Sequence, residues 1–349
     1  MHDAALRAAW RQFGDPRAIV AVKEVSAHVS TNHVYRVTLD DGAAVIAKFS
    51  WYGSYFLCRE DHDRLHRCNL LLQGGRYEHL MADVLTVNGA PFVYYDGQVW
   101  AVFYEEVSRR AGLPRILSDA DVANFAIEIA RFHRACTDIA SHVPRTSTSI
   151  RSDAVNLLER VTDPRTAASF EFSSEQRLVV RHHTHEFLEQ LHRLGYDDLA
   201  RIPVLLDWNL GNFSVAYDHG DRGPFRLFSR WDYDWFRIDT RLLDFYFLSR
   251  VSSQTGDRTV FTYSAHTLLE PRFQRFLQAY HLEFPLTEHE ILLLKESYRF
   301  FILNYVIRSG DHFFEGDLWR RLQHEAVSVY LPALDTLDLR PLVDAVLGT

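Results

Sequence analysis

Leu205-Leu206-Asp207-Trp208-Asn209-Leu210-Gly211-Asn212 is the stretch on which the reading of this chain turns. An Asp and an Asn five residues apart, around a tight Gly-containing loop, can converge on one point. The carboxylate then faces a substrate hydroxyl and the amide oxygen faces a metal ion. Asp, Asn and Gly are also the favoured residues of an ordinary turn, so the segment alone leaves both readings open. Apolar segments flank the loop. Val204 to Leu206, Phe213 to Tyr217 and Phe225 to Phe228 read as short strands, the last two joined by the Gly/Asp-rich turn of residues 219–224.

Upstream, the period is that of strands. Val34 to Leu39 and Ala43 to Phe49 flank Asp40-Asp41-Gly42, a hairpin signal, and Phe92 to Tyr95 and Val99 to Tyr104 form a second pair around Asp96-Gly97. Between the pairs, Tyr77, Leu80, Met81, Val84 and Leu85 have helical spacing, which predicts an amphipathic helix over Tyr77 to Val87. From Ser118, an N-cap followed by Asp119 and Asp121, the period becomes helical. Further helices are predicted over Ser174 to Leu194, Leu242 to Val251, His266 to Tyr280 and Thr287 to Arg308. The expected architecture is α+β and bilobal, with residues 1–105 forming a small antiparallel-sheet lobe and residues 106–349 a mainly helical one.

Composition bounds the function. The chain has 349 residues, enough for about two domains or one domain in two lobes. Its 38 basic and 46 acidic residues give a net charge of −8, without the basic stripe of a nucleic-acid binder. Three cysteines, Cys58, Cys68 and Cys136, cannot pair completely, which fits a reducing compartment. No run of eighteen apolar residues and no signal-peptide pattern over Met1 to Phe13 is found, so a cytoplasmic location is expected, with no membrane partner.

Lys48 ends the apolar strand Ala44-Val45-Ile46-Ala47, and Glu78 lies on the expected helix, where a helix packed on the sheet can offer its carboxylate to the lysine. Such a pair fixes a lysine for gripping phosphates. Taken in order, Ser30-Thr31-Asn32-His33-Val34-Tyr35-Arg36-Val37, Ala47-Lys48, Glu78, Ile129-Ala130-Arg131-Phe132-His133 and the Asp207 to Asn212 loop resemble the aminoglycoside phosphotransferase and choline kinase family, which has a protein-kinase-like fold. The resemblance spans about residues 25–250.

It implies an ATP- and Mg2+-dependent transfer of phosphate to a hydroxyl of a small polar or cationic metabolite or antibiotic. Ser30, Thr31 and Asn32 lie over the nucleotide phosphates, Lys48 contacts them and Glu78 orients Lys48, with Glu60 as a competing partner. Backbone groups from Tyr104 to Val107, including Glu105 and Val107, meet the adenine. Asp207 acts as base and Asn212 helps to hold the metal.

Two departures stand out. The family's His-Gly before the catalytic Asp is Leu205-Leu206 here. Aligning Trp231-Asp232-Tyr233 with the family's second metal motif places Arg230 where an Asp is expected. An arginine cannot be a metal ligand, although it can bind phosphate. Three readings follow: Asp232 or Asp234 supplies the ligand, Arg230 neutralises phosphate, or the protein is a nucleotide-binding pseudokinase. Transfer of another part of the nucleotide, such as AMP, is a further alternative.

By the resemblance, Asp244 supports the catalytic loop, and the acceptor pocket draws on Asp234, Trp235, Asp239, Tyr246, Glu270, Glu296 and Tyr298, a set suited to an amine. Cys58, His62, His66 and Cys68, and the histidines His182, His183 and His185, lack the close spacing of a structural zinc site.

Overall fold

A computed structural model describes residues 3–26, 32–51, 53–218, 220, 223–257, 263–314 and 316–348. Its N-terminal part is a five-stranded antiparallel sheet in the order β1 (Ile19–Glu24), β2 (His33–Leu39), β3 (Ala44–Ser50), β7 (Trp100–Glu105), β6 (Val93–Tyr95). Both expected hairpins form. Gly42 has a φ of +83° and the Asp41 carboxylate accepts from the Ala43 amide at 2.8 Å, while Gly97 has a φ of +97° beside the Asp96 cap on Gln98 and Val99. Val37, Val45, Ala47, Phe49 and Phe103 bury one sheet face against the helix α1 (Asp3–Phe13) through Leu6, Ala9 and Trp10.

The helix expected over Tyr77 to Val87 does not form. The single long helix of this part is α2 (Tyr55–Leu72), and residues 75–80 make tight turns instead. Gly74 at φ +73° ends regular structure there. The apolar spacing of Tyr77, Leu80, Met81 and Val84 still buries those side chains, but from an irregular segment tied down by Tyr77 Oη to the Glu128 carbonyl and by the Ala82 amide to Tyr233 Oη. A two-stranded ribbon, β4 (Thr86–Val87) with β5 (Ala90–Pro91), follows.

The remainder is mainly helical. Ser118 and Asp121 form a capping box at the start of α3 (Asp119–Ile139), which packs along α8 (Pro271–Glu283). Helices α4 (Ile150–Thr162), α5 (Pro164–Ala167) and α6 (Ser174–Arg193) lead to two ribbons, β8 (Ile202–Val204) with β11 (Arg237–Asp239) and β9 (Phe213–Tyr217) with β10 (Phe225–Arg230). The region expected as one helix from Leu242 is a 3₁₀ turn followed by α7 (Phe245–Val251). Pro271 breaks the one expected from His266, since its missing N–H starts α8 afresh. The last expected helix becomes α9 (Glu288–Leu292), α10 (Leu294–Phe301) and a π-helical segment, Ile302–Arg308.

Residues 205–212 leave β8 as a loop, which the strand pattern had extended to Leu206. Leu206 sits at φ +56° although it is not glycine, a conformation costing on the order of 1–2 kcal/mol. Its amide donates to Asp244 Oδ1 at 2.7 Å, and Asp244 Oδ2 accepts from His133 Nε2 at 2.8 Å. Tyr280 Oη lies 2.7 Å from His133 Nδ1 and completes the chain. His133, Asp244 and Leu206 are wholly buried, so α3 and the start of α7 clamp the loop from beneath.

Leu206→Ala keeps the strained backbone and loses about 2–5 kcal/mol of packing, whereas Leu206→Gly loses the same packing but releases the strain. Urea unfolding is therefore expected to find the glycine variant no less stable than the alanine variant, the reverse of the usual ranking in regular structure. A clearly less stable glycine variant contradicts the strain at Leu206.

Candidate active site

A cavity of about 470 Å³ lies between the sheet and the helical part, with the Asp207 loop on its floor. Val25, Val34, Ile46, Ala82, Tyr104 and Val107 form an apolar slot at the sheet end. The Glu105 amide is held by the Asp83 carbonyl at 2.8 Å, and the Glu106 carboxylate grips Arg36 with both oxygens. The Val107 amide donates to no acceptor among the described residues, leaving an edge for a flat heterocycle. Ser30 and Thr31 lie outside the described residues, and Asn32 borders the cavity.

Lys48 projects from β3 between Val34 of β2 and Val102 of β7. Its ammonium pairs closely with Asp234 and lies 3.6 Å from Asp232. Asp234 also accepts from Asn32 Nδ2 at 2.6 Å, so one carboxylate ties both Lys48 of β3 and the residue before β2 to the floor. Desolvation is the largest influence on Lys48 and lowers its pKa, opposed by Asp232 and more weakly by Asp207.

Glu78, expected to orient this lysine, does not reach it. It is exposed in the turn after Gly74, accepting from the Gly74 amide and lying beside His79. Glu60 is also turned away, to Arg64 and Ser147. From α2, Cys58 and His62 face this region instead, with His62 Nε2 2.5 Å from Tyr104 Oη. Burial lowers the His62 pKa to about 4, so the imidazole is neutral at pH 7.

Asp207, Asn212 and Asp232 meet at the cavity floor. The Asn209 amide donates to Asp207 Oδ1 at 3.2 Å, Asn212 Nδ2 lies 3.5 Å from the Asp207 carbonyl, and the Trp231 amide binds the Asn212 carbonyl at 3.2 Å. Burial first, and then the facing Asp232 charge, push the Asp207 pKa up to about 6, while Arg230 opposes the rise.

Arg230, expected to meet phosphate, does not border the cavity. It is wholly buried beneath the loop, outside the cavity lining, with Nε donating to the Asp232 carbonyl at 2.9 Å and Nη2 to the Leu205 carbonyl at 3.2 Å. Its guanidinium lies 5.2 Å from the Trp208 ring centroid. The arginine thus braces the backbone on both sides of the site, and Asp232, two residues on, is the carboxylate that faces Asp207.

Of the residues expected around an acceptor, Asp234, Trp235 and Tyr246 border the cavity. The others face inward elsewhere: Asp239 accepts from Tyr196 Oη and the Thr240 amide, Glu270 from the Gln254 amide, Glu296 pairs with Arg299, and Tyr298 bonds Ser249 and Thr267. His182 and His183 approach Asp335, at 4.0 and 3.7 Å, and His185 is not part of that group.

No protein-family profile matches the chain, and no curated protein matches it in sequence. Solved structures do match. Amicoumacin kinase hAmiN, in complex with AMP-PNP, Ca2+ and Ami, aligns over 94% of this chain and 95% of its own with a TM-score of 0.60 and 14% identity. A microcompartment-associated aminopropanol kinase aligns over 98% of both chains, again with a TM-score of 0.60 and 14% identity. APH(2")-IIia, solved with GDP and kanamycin, aligns over 93% of this chain and 97% of its own with a TM-score of 0.58 and 13% identity. The chain therefore has the bilobal, protein-kinase-like fold of small-molecule phosphotransferases.

Arg230→Met, which keeps the bulk and removes the charge, should lower stability by about 1–3 kcal/mol in urea unfolding, because the Asp232 carbonyl loses its donor and the Leu205 carbonyl keeps only the Asp207 amide. Unchanged stability would remove the bracing role.

Proposed function

We propose that the protein is a phosphotransferase that moves the γ-phosphoryl group of ATP to a hydroxyl of a small molecule. The observation that carries this reading is the convergence of Asp207, Asn212 and Asp232 across the cavity from Lys48. The fold common to AMP-PNP- and GDP-bound relatives supports it.

Asp207 stands where it can accept the proton of an acceptor hydroxyl as that oxygen attacks phosphorus. The bond from the γ-phosphorus to the bridging oxygen breaks, ADP leaves, and Asp207 returns its proton to solvent. Lys48, exchanging Asp234 for phosphate oxygens, draws charge away from the transferring group. The slot ending at Glu105 and Val107 holds the base, and Asn32 covers the phosphates.

Asn212 and Asp232 fit a divalent cation such as Mg2+, since they offer hard oxygen donors and the Asp207–Asp232 repulsion is relieved by positive charge between them. When bound, the ion neutralises charge on the phosphates. Arg230 does not favour the pseudokinase reading, because it leaves the ligand position to Asp232.

Asp207→Asn should abolish transfer, followed as phosphorylated product by mass spectrometry, with nucleotide affinity nearly intact. Product mass also separates phosphoryl from AMP transfer. In the parent enzyme kcat/KM should fall with acid below about pH 6, as Asp207 takes up a proton. A kcat/KM that stays level down to about pH 5 contradicts Asp207 as the base.

The same group has a stability signature. A carboxyl whose folded pKa is raised from 3.8 to about 6 opposes folding above pH 6 and ceases to do so below pH 4. Asp207→Asn should therefore raise the melting temperature at pH 7–8 and leave it unchanged near pH 3.5.

A further inference from the structure

The inner end of the cavity, beyond Asp207, is walled by aromatic rings from three elements. Trp235 follows the Asp232 turn, Tyr246 sits on α7, and Phe301 and Tyr305 come from α10 and the π-helical segment after it, with Phe313 beyond. The rings pack on one another. Tyr246 stacks on Phe301 with centroids 3.9 Å apart and an interplanar angle of 9°, and Trp235 lies 4.9 Å from Tyr305 and 5.7 Å from Phe313.

π-Helical turns are rare and gather at functional sites. This one carries Tyr305 to the cavity wall. Trp235 Nε1 is shielded from solvent and meets no acceptor among the described residues, although a buried indole N–H ordinarily finds one.

Charge sorts the ligands this end can hold. Among the described lining residues, the only aspartates are Asp207, Asp232 and Asp234, the last already bound to Lys48 and Asn32. Glu270 and Glu296, which an amine-binding pocket would use, point elsewhere. Arg250 borders the same end, its guanidinium 5.4 and 5.6 Å from the Tyr246 and Phe247 centroids. The guanidinium already occupies these ring faces, which an ammonium ligand would otherwise seek.

We propose that the acceptor is a hydroxylated compound with a flat, apolar, aromatic body, neutral or anionic, and not an aminosugar or quaternary ammonium alcohol. Its ring lies flat against the cavity face of the Trp235, Phe301 and Tyr305 wall, and the hydroxyl is presented to Asp207. This rests on the phosphotransferase reading for the last step only; ring recognition stands without it.

The test is saturation-transfer NMR of the full chain with four probes: tyrosol, p-coumarate, kanamycin and choline. Tyrosol and p-coumarate should bind, and Trp235→Leu and Tyr305→Leu should each weaken them by about tenfold while ATP binding, read in parallel, reports a folded protein. Kanamycin and choline should give no signal sensitive to either variant. Binding of kanamycin or choline that depends on Trp235, or aromatic binding indifferent to both variants, overturns the proposal. Mass spectrometry with ATP and Mg2+ then separates the two claims: aromatic probes that bind at this wall without any being phosphorylated support the ring pocket and count against the phosphotransferase reading.

Discussion

The buried hydrogen bonds from Leu206 through Asp244 to His133 are the constraint on which the site depends. A left-handed leucine persists only where its surroundings over-determine it, and here a fully buried carboxylate takes the loop amide on one oxygen and an imidazole on the other. Because His133 belongs to α3 and Asp244 begins α7, the loop is referenced to two helices rather than to its own turn. Arg230 adds a second brace, reaching the carbonyls of Leu205 and Asp232. Asp207 and Asp232, whose separation matters most to the proposed chemistry, are thus held by backbone contacts on the residues around them.

Electrostatics at the cavity floor leave the site set for an anionic ligand with its counter-ion. Two carboxylates face one another at a cost that shows in the raised pKa of Asp207, and the ammonium opposite them is desolvated and held by Asp234. In the proposed function a nucleotide polyphosphate with a divalent cation would satisfy all three at once, the cation relieving the carboxylate pair and the phosphates replacing Asp234 on Lys48. Either component alone satisfies only part of the arrangement.

Much of this was legible in the sequence because it resides in local pattern. The Asp-Gly turn between β2 and β3, the Ser118 cap of α3 and the Asp207 to Asn212 loop each carry their own short-range signal. Around Glu78 the spacing of apolar residues predicts a helix, whereas Gly74 and the packing of Tyr77 and Leu80 stabilise a turn. Helix α2 carries little helical signal in the sequence because its buried positions include Arg64 and Asn69, which interrupt the apolar stripe. The burial of Arg230 beneath the loop is not encoded locally, because β10 shifts register between Leu227 and Ser229. The aromatic wall arises from distant segments, Trp235, Tyr246 and Tyr305, that only tertiary packing unites.

The most direct test of the account is thermal unfolding with ATP or GTP, each with Mg2+ or with EDTA. A ligand at about a hundred times its dissociation constant stabilises the folded state by about 2.7 kcal/mol, a shift of a few degrees for a chain of this size. The account predicts a shift that requires nucleotide and Mg2+ together and is lost in Asp232→Asn. No shift with either nucleotide, or the same shift in EDTA and in the variant, would contradict it.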